Sequence, residues 1–112
     1  MVELFCENLR KPLAIDSDNP RFAWKYNNKE RGFMQTGYHI LVASTADQLN
    51  SNFGDMWDSG RIESDRSINI KYKGKELESD KRYWWQMKYK NREDNWSHFT
   101  KPVWFDTGLK KP

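Results

Sequence analysis

Four carboxylates, Asp55, Asp58, Glu63 and Asp65, crowd one short stretch of the chain. Paired carboxylates are what general acid–base work or a calcium site would need. Their spacing is irregular, however, and no glycine-centred calcium loop surrounds them. Arg61 and Arg66 stand beside them as charge partners, so the stretch reads as a solvated loop. His39 and His98 lie far apart in sequence with no Ser or Cys nucleophile placed by pattern, which supports neither a catalytic triad nor a zinc site. Cys6 is the only cysteine; it excludes an internal disulfide and reads as a buried thiol. No catalytic residue, metal site or cofactor is expected.

Charge and hydropathy argue against two further classes. Lys71, Lys73, Lys75, Lys81, Arg82, Lys88, Lys90 and Arg92 form a basic stretch with aromatics between them, but 19 basic against 16 acidic residues leave a net charge of only +3. Nucleic-acid binders concentrate unopposed cations, so these charges read as the outer face of strands. No apolar run approaches the roughly 18 residues of a membrane span. Leu4-Phe5-Cys6 is faintly like a lipoprotein anchor site, but no basic start and apolar run precede it. Asn95-Trp96-Ser97 is a formal glycosylation sequon and marks an exposed hairpin.

The elements that position these groups are strands. Aromatic residues make up 15% of the 112 positions, enough to build a core from rings and to favour strands over helices. An edge strand is expected over 2–9, followed by an extended crossing at Pro12-Leu13-Ala14-Ile15-Asp16 and a turn at Ser17-Asp18-Asn19-Pro20. Phe22, Trp24 and Tyr26 alternate with Arg21, Ala23 and Lys25 in the second strand. A polar loop over 27–32 leads to a third strand over 35–44. There Tyr38, Ile40 and Val42 face one way, His39, Leu41 and Ala43 the other. Thr45-Ala46-Asp47-Gln48 has the spacing of a capping box and predicts a short helical turn ending near Leu49. A short strand over 56–62, interrupted at Asp58-Ser59-Gly60, precedes a strand over 67–72 with Ile68, Ile70 and Tyr72 on one face. After the turn at Lys73-Gly74-Lys75 comes the stretch 77–89, in which Tyr83, Trp85, Met87 and Tyr89 share a face. A hairpin loop over 91–95 and a last strand over 103–106, with Val103 and Phe105 inward, complete the chain.

Leu77, six positions before Tyr83 across a polar corner, resembles the tyrosine corner of immunoglobulin-like and fibronectin type III sandwiches. The fold class expected is therefore all-β, a single fibronectin type III / immunoglobulin-like antiparallel β-sandwich over 1–112 with about seven strands. Its expected core is Phe22, Trp24, Tyr38, Ile40, Val42, Ile68, Ile70, Tyr83, Trp85, Met87, Val103 and Phe105.

A more specific resemblance runs nearly end to end. Asn8-Leu9, Pro12-Leu13-Ala14-Ile15-Asp16, Pro20-Arg21-Phe22-Ala23-Trp24, the segment from Gln35-Thr36-Gly37 to Val42-Ala43-Ser44, Trp57-Asp58-Ser59-Gly60, Tyr83-Trp84-Trp85 and Phe105-Asp106-Thr107-Gly108-Leu109 occur in order. Together they resemble the N-terminal fibronectin type III-like domain of bacterial α-L-rhamnosidases. Ala14 departs from the glycine associated with that segment. The resemblance implies a parent glycoside hydrolase that cleaves α-L-rhamnosides by inversion, using two carboxylates on an α/α barrel not contained in this chain. It also implies a periplasmic or extracellular protein, and that this chain is not itself an enzyme.

Trp84 and Trp104 fall on outward positions. In a fibronectin-type sheet the strands carrying His39, Leu41, Trp84, Gln86, Lys88 and Trp104 are neighbours, so these six residues form the candidate interaction surface. Leu41 and Ala43 beside the tryptophans favour docking against other domains of the parent enzyme. The alternative is a glycan partner, with the indoles stacking on sugar rings while Gln86, His39 and Lys88 bond hydroxyls. A third arrangement has covering loops bury the indoles within the domain.

Overall fold

Ring and branched side chains at every second position give strands with one apolar face, and two sets of them close on each other in the computed structural model, which describes residues 2–6, 20–26, 35–78 and 81–107. The elements run β1 (Val2–Cys6), β2 (Arg21–Tyr26), β3 (Gly37–Ala43), α1 (Ala46–Asn50), β4 (Trp57–Asp58), β5 (Ile70–Lys71), β6 (Arg82–Lys90) and β7 (Val103–Asp106). One sheet has the order β1-β2-β5 and the other β4-β3-β6-β7, with every pairing antiparallel. The expected crossing at 12–16 and the loop at 27–32 lie outside the described residues.

Between the sheets, the inward residues of the alternation meet as one aromatic cluster. Phe22 lies against Trp85 with ring centroids 4.5 Å apart, Trp24 meets Tyr38 edge-on at 5.2 Å, and Tyr83 stacks on Phe105 at 5.9 Å. Ile40, Val42, Ile70 and Met87 fill the gaps, Val103 packs half-buried at the margin, and Cys6, Tyr72 and Leu77 join the buried set. The corner predicted at Leu77 forms. Leu77 is buried, and the Tyr83 hydroxyl accepts the Glu78 backbone N–H at 2.8 Å.

Polar chemistry ties the sheets as well. Gln35 is buried, its Oε1 accepts the Trp24 indole N–H at 2.7 Å and the Tyr26 hydroxyl, and its Nε2 donates to the Ser64 and Arg66 carbonyls at 3.0 and 2.9 Å. Burial pushes the Tyr26 hydroxyl well above the usual tyrosine range, so it stays a donor.

Ile68 departs from the expected core. Its side chain is 62% exposed because Asn69 takes a left-handed φ of 54°, which interrupts the alternation and leaves β5 only two residues long. Arg66 holds the bend from outside, donating to the Ile68 and Asn69 carbonyls at 3.0 Å each. The capping box forms by half. Thr45 Oγ1 accepts the Gln48 N–H at 3.4 Å, whereas Gln48 Oε1 is buried without a partner among the described residues. The interruption after β4 follows the expectation. Gly60 takes φ 71°, and Ser59 exchanges bonds with Ile40 before Ile62 bridges to Tyr38.

Candidate functional site

The register sets the outward residues of three strands side by side. Ala43 pairs with Trp84 and Trp84 with Trp104, Leu41 pairs with Gln86, and His39 pairs with Lys88. The six residues of the candidate surface are thus neighbours on one sheet face, but most of that face is covered by the chain itself. α1 follows β3 directly, and Leu49 seals a second small core with Leu41 and Ala43, against which Trp84 and Phe99 pack half-buried. Leu41 and Gln86 are only 1% and 2% exposed, which removes them from any open surface. The Gln86 amide is spent inward, its Nε2 donating to the Leu49 carbonyl at 2.9 Å.

The other four keep partial access and are engaged locally. The Arg82 guanidinium lies 4.0 Å from the centroid of the Trp104 ring and forks onto Asp106 at 2.7 and 3.1 Å, occupying one face of that indole. His39 Nε2 lies 2.5 Å from Asp58 Oδ1, and its ring meets Phe99 edge-on. Burial works upward on the Asp58 carboxyl, but the Gly60 N–H and His39 outweigh it and hold the carboxyl below its usual range. Lys88 Nζ lies over the Phe99 and Trp96 rings at 4.9 and 5.5 Å. Burial and the neighbouring Arg61 push its ammonium downward, against Asp58.

The acidic group disperses. Asp55 accepts the Ser44 N–H and hydroxyl at 2.8 and 2.7 Å, Asp58 takes His39, and Glu63 pairs with Lys90 at 2.5 Å. The partners expected for it do other work: Arg61 sits over the Trp96 ring at 5.0 Å and Arg66 clamps backbone. Among the described residues no three His, Cys, Asp or Glu side chains gather as a metal would require.

Openings lie at the surface of the described residues. A cleft of about 450 Å³ lies between the end of α1 and residues 97–102, with Gln86 and Lys88 from β6 among its lining. An apolar groove of about 510 Å³ lies on the three-stranded sheet, where Phe5, Ala23 and Tyr26 meet Ile68. Nothing periodic marks Phe99 or the segment around it, and the exposure of Ile68 depends on one backbone dihedral, that of the residue after it, Asn69, a type that tolerates positive φ.

Two antiparallel sheets closed by a tyrosine corner define an immunoglobulin-like β-sandwich module. The sequence matches the family model described as Rha78A-like, N-terminal immunoglobulin domain over residues 1–111, and the chain belongs to that family. An α-L-rhamnosidase of Formosa agariphila is 43% identical over 101 residues, covering 88% of this chain and 10% of that protein. The solved α-L-rhamnosidase of Dictyoglumus thermophilum superposes with a TM-score of 0.89 at 40% identity, covering 96% of this chain and 12% of that one. The Streptomyces avermitilis α-L-rhamnosidase, solved with L-rhamnose, gives 0.86 at 31% identity, covering 97% and 11%. The chain therefore spans about a tenth of the length of the relatives it matches.

Proposed function

We propose that residues 1–112 form a single non-catalytic module of a bacterial α-L-rhamnosidase, one that packs against and positions other domains of that enzyme. The observation that carries this reading is Ile68. An apolar side chain clamped outward by Arg66 stands beside a groove based on Phe5 and Ala23, on a sheet face that no helix among the described residues covers. The occupant is another domain of the same polypeptide, because the relatives carry about nine-tenths of their length beyond the matched part. Docking thus moves from the four-stranded sheet, whose outer face α1 and the segment around Phe99 partly cover, to the three-stranded one.

The test compares Ile68→Asp in two settings. In the isolated chain the change alters an exposed position and is expected to shift stability by less than about 0.5 kcal/mol. In the full-length rhamnosidase carrying it, the same change lowers the melting temperature and speeds proteolysis. Unchanged stability of the full-length protein would count against docking through this groove, and rhamnoside turnover by the isolated chain would overturn its non-catalytic role.

A further inference from the structure

We propose that the cleft between α1 and residues 97–102 binds the carboxylate of an acidic sugar, a uronate unit of a glycan, with Lys88 as the anchoring cation. The sugar half of this inference rests on the reading of the chain as part of a glycan-cleaving enzyme; the anion half rests on the cleft alone. Its volume, about 450 Å³, lies within the roughly 300–1,000 Å³ of small-ligand sites. Lys88, Lys101 and His98 line it, and no Asp or Glu does.

Lys88 supplies the main argument. Its ammonium is partly desolvated over two aromatic rings, and among the described residues no carboxylate lies within ion-pair distance of it. The nearest acidic influence, Asp58, is already engaged by His39 and the Gly60 N–H, and Arg61 adds a like charge. A cation so placed gains more from an incoming carboxylate than a fully hydrated surface lysine does, since part of its desolvation has already been met.

The remaining lining suits a pyranose. Phe99 gives an apolar wall, held edge-on by His39 and half-buried against the small outer core. Asn50 and Asn52 bring amides from the end of α1, and Asn52 is fixed there by a left-handed φ of 58° and an N–H bond to the Leu49 carbonyl at 2.8 Å. Amides beside an aromatic wall can meet the hydroxyls and the C–H face of a sugar together. A neutral sugar such as rhamnose would leave the Lys88 charge unanswered, so the carboxylate is the discriminating group.

The test is calorimetric titration of the chain with D-glucuronate and D-galacturonate, alongside L-rhamnose and acetate. A saturable uronate signal at least about tenfold tighter than either control, weakened about tenfold or more in Lys88→Met, is the expected result. Met keeps most of the alkyl stem that packs on the rings, and the variant's melting curve checks that it is folded; Lys88→Gln serves if it is not. A flat uronate trace, an affinity equal to that of acetate, or full binding by a folded lysine variant would overturn the proposal. None of these outcomes touches the Ile68→Asp comparison, so failure of the cleft and failure of domain docking are separately visible.

Discussion

The two faces of the four-stranded sheet are both buried, but by different means. The inner face is covered by another sheet, ring against ring, and there the buried amide of Gln35 has its oxygen committed to Trp24 of the facing sheet and its nitrogen to the Ser64 and Arg66 carbonyls. The outer face is covered by a five-residue helix and an irregular segment, and there His39 Nδ1 and Gln48 Oε1 are buried without partners among the described residues. The inner interface carries the fold, whereas the outer cover is a local addition that leaves a cleft at its seam. Partner-poor burial under short elements is where local opening costs least.

The largest effect expected from that contrast is at the inner centre. Trp85 is 1% exposed and faces Phe22, so Trp85→Ala should cost about 3–5 kcal/mol, read as a shift of the denaturation midpoint. Leu49→Ala on the outer face should cost less, about 2–3 kcal/mol, at the low end for a buried leucine because a short helix can settle into the space. Hydrogen exchange sharpens the comparison. Leu49→Ala should unprotect the amides of α1 and leave those of β2 nearly unchanged, while Trp85→Ala lowers protection throughout. If Leu49→Ala loosened β2 as much as α1, the two faces would be one cooperative unit and the distinction would fail.

The same contrast governs what can be read from the sequence. The inner face is legible because it is written in period two: Phe22, Trp24, Tyr38, Ile40, Val42, Tyr83, Trp85 and Met87 all face inward as the alternation requires. Leu77 and Tyr83 are legible because a corner needs a buried leucine and a hydroxyl at fixed spacing. Ile68 misleads because alternation presumes extended backbone, and a single left-handed residue after it turns the side chain out. On the outer face, strand order brings the expected neighbours together, and Thr45 announces the helix, but neither says that Leu49 will land on Leu41 and Gln86. Residues 97–102 have no period at all, so the cleft they complete appears only in three dimensions.

The smallest effect is electrostatic and belongs to the outer face alone. The Asp58 carboxyl sits below its usual value in the folded chain because the Gly60 N–H and His39 favour its charged form more than its partial burial opposes it. A depressed folded-state value means that the stabilisation is present above the unfolded value, near pH 4, and is lost as pH falls through the lower folded one. The side chain is 58% exposed, so screening keeps the contribution below about 1 kcal/mol. Asp58→Asn should therefore flatten the acid limb of a melting-temperature profile between about pH 5 and 3, since the amide does not titrate there. Protection of β2 should follow global stability in both proteins, while that of the β3–β4 pairing beside His39 falls further in the wild type at low pH. An unchanged acid limb in Asp58→Asn would place the pH-sensitive contacts elsewhere and remove this electrostatic difference between the two faces.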